Sequence, residues 1–265
     1  MLTAARKLRD LANLGGNMYT GAVFFAARVA LDPARARVWL PPGVSLAKPA
    51  VATVFAAHFP ETSFGSVYDE AGVFFHVRRR FRRAVFCPWM VVTDDVALTV
   101  GRELLGYPKK LARIAFDFGD AAEGSEVRAD VERRGRVILR LRGRVGERVD
   151  DAPPMLGQRA LNVRGSLGLF TQRLVTFTPR EEIVLARRAS AELELPPSLH
   201  ASHASQRGRA QMRLEEGRDP LDDLGLGAVL GAHLYRVNVA AGWPPRDIRR
   251  VSFRFAMRAL GARWL

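Results

Sequence analysis

Lys109 and Lys110 stand side by side in a chain that otherwise writes positive charge as arginine. Its only other lysines are Lys7 and Lys48, among 41 lysines and arginines. Arginine stays charged at any useful pH, whereas a lysine amine sheds its proton when it is desolvated or set beside another cation. A neutral amine attacks a carbonyl and forms a Schiff base. Two adjacent lysines alone would read more readily as a solvated pair on a loop. Their neighbours decide between the two readings.

The segment reads Thr99-Val100-Gly101-Arg102-Glu103-Leu104-Leu105-Gly106-Tyr107-Pro108-Lys109-Lys110-Leu111. It resembles the signature of the acetoacetate decarboxylase family, GRE-x-x-x-[YF]-P-K-K-L. The likeness extends upstream through Asp94-Asp95-Val96-Ala97-Leu98 and returns at Pro220-Leu221-Asp222-Asp223-Leu224. It covers roughly residues 30 to 240, weakly in between. That family is itself the standard example of a lysine activated for imine formation. The resemblance implies that Lys109 is the nucleophile, with Lys110 beside it. It also implies that Glu70, in Tyr68-Asp69-Glu70-Ala71-Gly72, is the general acid/base or sets the pocket's polarity; an exposed glutamate in a turn is the other reading. Arg102 and Glu103, the counterparts of the family's Arg and Glu, are expected to pair and steady the lysine loop or to contact substrate.

Two departures from the family pattern bear on the reaction. Family decarboxylases carry an arginine near the start of the first strand, where this chain has Tyr19-Thr20-Gly21-Ala22. A second pocket glutamate falls near Phe55. Relatives with altered pockets use the same lysine for aldol addition and dehydration of pyruvate-like substrates. The expected function is therefore a cofactor-independent, metal-independent lyase acting on a small oxo acid, either a decarboxylase or an aldolase-dehydratase. The competing expectation is a non-catalytic member of the fold that binds an anionic ligand or partner through a basic surface.

The elements that must hold these residues read mostly as strands. Val51 to His58 and Ala84 to Val92 are apolar runs, and Pro88 inside the second implies an edge or a bulge. Ala112, Ile114, Phe116 and Phe118 alternate with Arg113, Ala115 and Asp117, as do Val127, Ala129 and Val131 with their neighbours. Arg133-Arg134-Gly135-Arg136 predicts a turn before a returning strand from Val137 to Val145. A further short strand is expected through Ala191, Leu193 and Leu195. His233 and Tyr235 share one face of a strand-like run from Val229 to Val239, which makes Tyr235 a candidate substrate contact. Helices are expected from Thr3 to Asn13 and from Asp32-Pro33 to about Trp39, and a polar loop or short helix over Leu199 to Gly217. The pattern and the resemblance together imply a single α+β domain over residues 1–265, an antiparallel β-barrel or cone with peripheral helices and the lysine inside.

Composition limits the alternatives. A 48% hydrophobic content suits a packed globular protein. The one cysteine, Cys87, excludes an internal disulfide framework. No apolar run reaches spanning length and no signal peptide is legible, so a cytoplasmic protein without membrane contact is expected. Net charge is +14, densest in Arg78-Arg79-Arg80-Phe81-Arg82-Arg83, but no nucleic-acid motif accompanies it. That run reads as a solvated hairpin end, and specific nucleic-acid binding is not expected. The expected partners are a small oxo acid and further copies of the chain. His200 and His203 lack companions for a metal site. Gly225-Leu226-Gly227-Ala228-Val229-Leu230-Gly231 has its third glycine one place late for a dinucleotide fingerprint.

Overall fold

The computed structural model describes residues 18–165, 172–196, 219–240, 245–252 and 255. Strands dominate the described residues. They are β1 (Tyr19–Leu31), β2 (Ser45–Leu46), β3 (Val51–Phe59), β4 (Glu61–Thr62), β5 (Tyr68–Arg79), β6 (Arg82–Val92), β7 (Lys109–Leu111) and β8 (Arg113–Asp117). They continue with β9 (Glu126–Arg133), β10 (Arg136–Arg148), β11 (Ala160–Arg164), β12 (Arg173–Phe177), β13 (Arg180–Ala189), β14 (Glu192–Glu194), β15 (Leu226–Ala240) and β16 (Arg246–Arg250). Two five-residue helices, α1 (Pro33–Arg37) and α2 (Asp95–Thr99), lie outside the sheet.

One sheet holds every strand, in the order β16-β12-β11-β6-β5-β3-β1-β15-β13-β10-β9-β8, with β2, β4, β7 and β14 paired off that path. Pairing is antiparallel except where β6 meets β11 and β7. Among the described residues the path does not close on itself, so the strand pairing gives a large open sheet rather than the closed barrel expected. The far edge nonetheless curls back: the ring of Phe118, just past β8, lies 5.9 Å from that of His58 on β3.

The two faces of the sheet bury two separate apolar layers. Alternate residues of a strand point to opposite sides, so Phe25, Ala27 and Val29 of β1 enter one layer and Phe24 and Ala26 the other. Strands buried on both faces show no alternation, which explains the near-continuous apolar run of β1. The first layer holds Phe75, Trp89, Leu139 and Leu141. The second holds Phe24, Phe55, Phe59, Phe74 and Tyr107.

Local sequence signals account for several joints. Asp32 caps α1 by accepting from the amides of Ala34 and Arg35, with Pro33 in the first turn, and Asp94 caps α2 through the Ala97 amide. The helix from Asp32-Pro33 ends at Arg37, slightly short of the expected Trp39. Arg134 (φ 53°) and Gly135 (φ 75°) make the two-residue turn of the β9–β10 hairpin, where two positive φ values match the twist of the strands. Pro88 sits where the β5–β6 register slips, between the Val73–Trp89 and Phe75–Phe86 pairs, so the proline occupies a bulge. The expected helix at Thr3–Asn13, the loop at Leu199–Gly217 and the His200/His203 pair lie outside the described residues.

Candidate active site

The lysine pair begins β7, the short strand that runs parallel to β6 with Met90 opposite Lys109 and Val91 opposite Lys110. Adjacent strand residues face opposite ways, and this divides the pair. Lys109 enters the second apolar layer and Lys110 the first, each almost fully buried. The charge of Lys110 therefore does not lie on the Lys109 side of the sheet.

Lys109 meets Glu70. Its Nζ lies 2.7 Å from Oε2 of Glu70, with the side chains 4% and 6% exposed. Glu70 is on β5, paired with Val92 of β6. The two side chains thus reach each other from the strands on either side of β6. The rings of Tyr68 and Tyr107 lie 5.3 Å and 6.0 Å from the same amine. Glu70 lies in a buried strand and not in the exposed turn that was its other reading.

The loop before β7 aims the lysine. α2 runs into a π-helical turn, Val100–Leu104, of the kind that recurs at functional sites. The Tyr107 amide returns to the Gly101 carbonyl at 3.0 Å and closes the loop. A Cβ on Gly101 would fall 2.5 Å from both Cδ and Cε of Lys109, so only glycine leaves the lysine its path. Gly106, at φ 73°, turns against the backbone of Val163 and Arg164. Buried Asn162 on β11 donates to the Leu105 carbonyl at 3.0 Å and ties this turn to the sheet.

The amine opens onto a cavity of about 40 Å³. Phe59, Phe74, Leu105, Phe177 and Val239 give it apolar walls, and only Tyr19, Glu70, Tyr107 and Lys109 contribute a side-chain nitrogen or oxygen. Burial, reinforced by the Glu70 charge, pushes the Tyr19 hydroxyl far above its ordinary value. Burial does the same for Tyr68 and Tyr107, so all three remain neutral at physiological pH and able to donate. Tyr19, at the start of β1, occupies the wall. Phe55 stacks on Phe74 at 5.1 Å, in the same layer.

On the other face, Lys110 Nζ lies 3.6 Å from Oδ1 of Asp219. Asp219 also takes the indole N–H of Trp89 and, at 2.7 Å, a guanidinium N–H of Arg133. Burial outweighs the attraction of Asp219 and pulls the Lys110 amine down to about 8. Asp219 immediately precedes the 3-10 turn Pro220–Asp223, so the C-terminal part of the resemblance packs behind the lysine strand. A depressed lysine makes stability rise with pH wherever the unfolded chain binds the extra proton. From this group, stability should climb between about pH 8 and the ordinary lysine value of 10.5. Denaturant titrations from pH 7 to 10 should show that rise in the wild type and not in Lys110→Met. An identical slope in both would mean that Lys110 does not carry it.

The remaining candidates lie away from the cavity wall. Arg102 is half-buried, and its Nε has no hydrogen-bond partner among the described residues. Glu103 is exposed, and no ion pair joins the two among the described residues, so the expected pairing does not form. Consecutive residues on a helical turn point apart, which accounts for this. Tyr235 is buried in the cavity's layer and packs against His233 at 5.6 Å. Tyr19, Tyr68, Asn162 and Asp219 were not legible as site residues. Tyr68 stands two positions before Glu70, and period-two spacing along a recognised strand would have found it.

A lysine amine and a carboxylate are thus paired in an apolar, aromatic pocket. The family model described as "Acetoacetate decarboxylase (ADC)" matches residues 12–244. This chain belongs to the acetoacetate decarboxylase family. An acetoacetate decarboxylase of Ralstonia nicotianae is 34% identical over 89 residues, which is 34% of this chain and 36% of that protein. Acetoacetate decarboxylase 2 of Mesorhizobium japonicum is 36% identical over 81 residues, 31% of each. The matched stretch thus spans about a third of either relative's length. Among solved structures, the acetoacetate decarboxylase of Legionella pneumophila superposes with a TM-score of 0.69 at 16% identity, covering 89% of this chain and 88% of the other. The enduracididine biosynthesis enzyme MppR, complexed with pyruvate, gives 0.69 at 18% identity, covering 86% and 88%. At such identities the likeness is one of fold. No described helix is long and apolar enough to cross a membrane.

Proposed function

We propose that the protein is a cytoplasmic Schiff-base lyase of small oxo acids, with Lys109 as nucleophile and Glu70 as proton carrier. One observation carries this reading: the buried 2.7 Å contact between the Lys109 amine and the Glu70 carboxylate beside an apolar cavity. Glu70 takes a proton from the ammonium, and the neutral amine adds to the substrate's ketone carbon. Protonated Glu70 returns the proton to the departing hydroxyl, water leaves, and an iminium remains. The iminium nitrogen then accepts the electron pair of a neighbouring bond. If that bond is to a carboxylate, carbon dioxide leaves. If it is a C–H bond, the resulting enamine can attack an aldehyde, and loss of water follows.

The pocket favours the second course. Decarboxylation gains from charged groups that seat and destabilise the carboxylate, yet the wall offers the neutral hydroxyls of Tyr19 and Tyr107. Those hydroxyls suit a carboxylate that is kept. Arg102 does not line the cavity and would act by steadying the lysine loop, without touching substrate. Glu103 and Tyr235 would act through the loop and the pocket layer, without touching substrate.

The test is borohydride reduction in the presence of pyruvate or acetoacetate, followed by peptide mass spectrometry. A substrate-sized increment on Lys109 is expected, together with deuterium exchange into the pyruvate methyl group and little carbon dioxide from acetoacetate. An increment confined to Lys7 or Lys48 would defeat the enzyme reading. Fast carbon dioxide release that depends on Lys109 would reverse the choice of reaction.

A further inference from the structure

A second cavity, of about 290 Å³, opens at the other end of the strands that build the lysine pocket. Tyr19 and Glu70 serve the lysine pocket, whereas Arg28 and His76, on the same two strands, line the second one. At about 3.3 Å per residue the two positions are about 30 Å apart on β1 and about 20 Å apart on β5. The shared parity of Glu70, Phe74 and His76 puts both cavities on one face of the sheet, with Phe24, Phe55 and Phe74 between them.

The lining is cationic. Arg28, Lys48, Arg78 and Arg83 contribute to it, no carboxylate does, and none of the four forms an ion pair among the described residues. Strand pairing fixes this concentration: Arg28 lies opposite Thr53, and Arg78 opposite Arg83. Four like charges gathered around a concavity repel one another, and no carboxylate among the described residues pairs with them. Within the row His76 Nε2 contacts Thr53 Oγ1 at 2.9 Å. Burial and the Arg28 charge hold this imidazole below its ordinary value, so it adds a neutral polar group.

We propose that this cavity is a binding site for a small organic phosphate carrying two or more negative charges. A single carboxylate would leave most of the cationic charge uncompensated. A phosphoryl group offers two charges and three acceptor oxygens, and guanidinium forks match that geometry. The site is a recess, so the ligand is a compact molecule and not a long polyanion laid across a surface. This proposal stands apart from the lysine chemistry and survives if that chemistry is wrong.

Titration calorimetry at fixed ionic strength, with pyrophosphate, ADP and inorganic phosphate as probes, tests it. One ADP or pyrophosphate per chain is expected, bound more tightly than inorganic phosphate. Arg28→Gln combined with Arg83→Gln should weaken binding by about tenfold or more, as expected for charge-assisted hydrogen bonds. Both positions are exposed, and circular dichroism reports whether the fold is kept. Lys48→Gln alone, on a loop, should give a smaller drop in the same direction. The distant surface change Arg113→Gln should leave binding unchanged. Undiminished binding in the double and Lys48 variants, an equal loss of binding in Arg113→Gln, or a response to long RNA alone would each overturn the proposal.

Discussion

Lys109→Arg is expected to reduce turnover of any accepted oxo acid by roughly 10⁴-fold or more, because it removes covalent catalysis altogether. The guanidinium keeps a positive charge opposite Glu70, so the buried carboxylate is not left unpaired, and the fold should persist. It cannot shed a proton and cannot form an imine. Lys110→Arg is the matched control. It keeps a cation near Asp219 on the opposite face and should cost no more than about tenfold, through strain in a packed layer. Rates for both variants, with near-ultraviolet circular dichroism to report packing, give the comparison. Equal mild losses would show that neither amine is a nucleophile and that the pair serves only as buried charge.

A second large effect is expected at a residue that touches no substrate. Gly101→Ala places a methyl group 2.5 Å from two methylenes of Lys109, closer than side-chain carbons approach. The atoms that must yield belong to a flexible side chain, so the fold should survive while the amine is pushed from Glu70. A displacement of about 1 Å from productive geometry costs on the order of 10²-fold in rate. Borohydride trapping should fall in parallel, since the imine itself forms less readily. Wild-type trapping with reduced turnover would place the role of Gly101 after imine formation, and unchanged turnover would remove it from the site.

Sequence alone determined the family, the lysine pair as the candidate site and much of the strand content. These rest on local signals: a dense motif around Lys109, period-two alternation in β8 to β10, capping by Asp32 and Asp94, and a turn at Arg134-Gly135. Each needs only residues within a few positions of one another. Glu70 was reached by resemblance, since nothing near it in the chain shows that it is buried. β1 was located only through the resemblance and β5 was not read as a strand; both are covered on both faces and lack alternation.

Tertiary structure decided what depends on residues far apart in the chain. It placed Glu70 against Lys109 from two strands away, and Asp219 behind Lys110. It separated the two lysines by face, Lys109 toward Glu70 and Lys110 toward Asp219, although they are adjacent in sequence. It also made Tyr19 part of the pocket and gathered Arg28, Arg78 and Arg83 around one recess. The physical reason is common to all of these. Propensity and pattern are properties of short segments, whereas register and curvature of a sheet are settled only when every strand has found its partner.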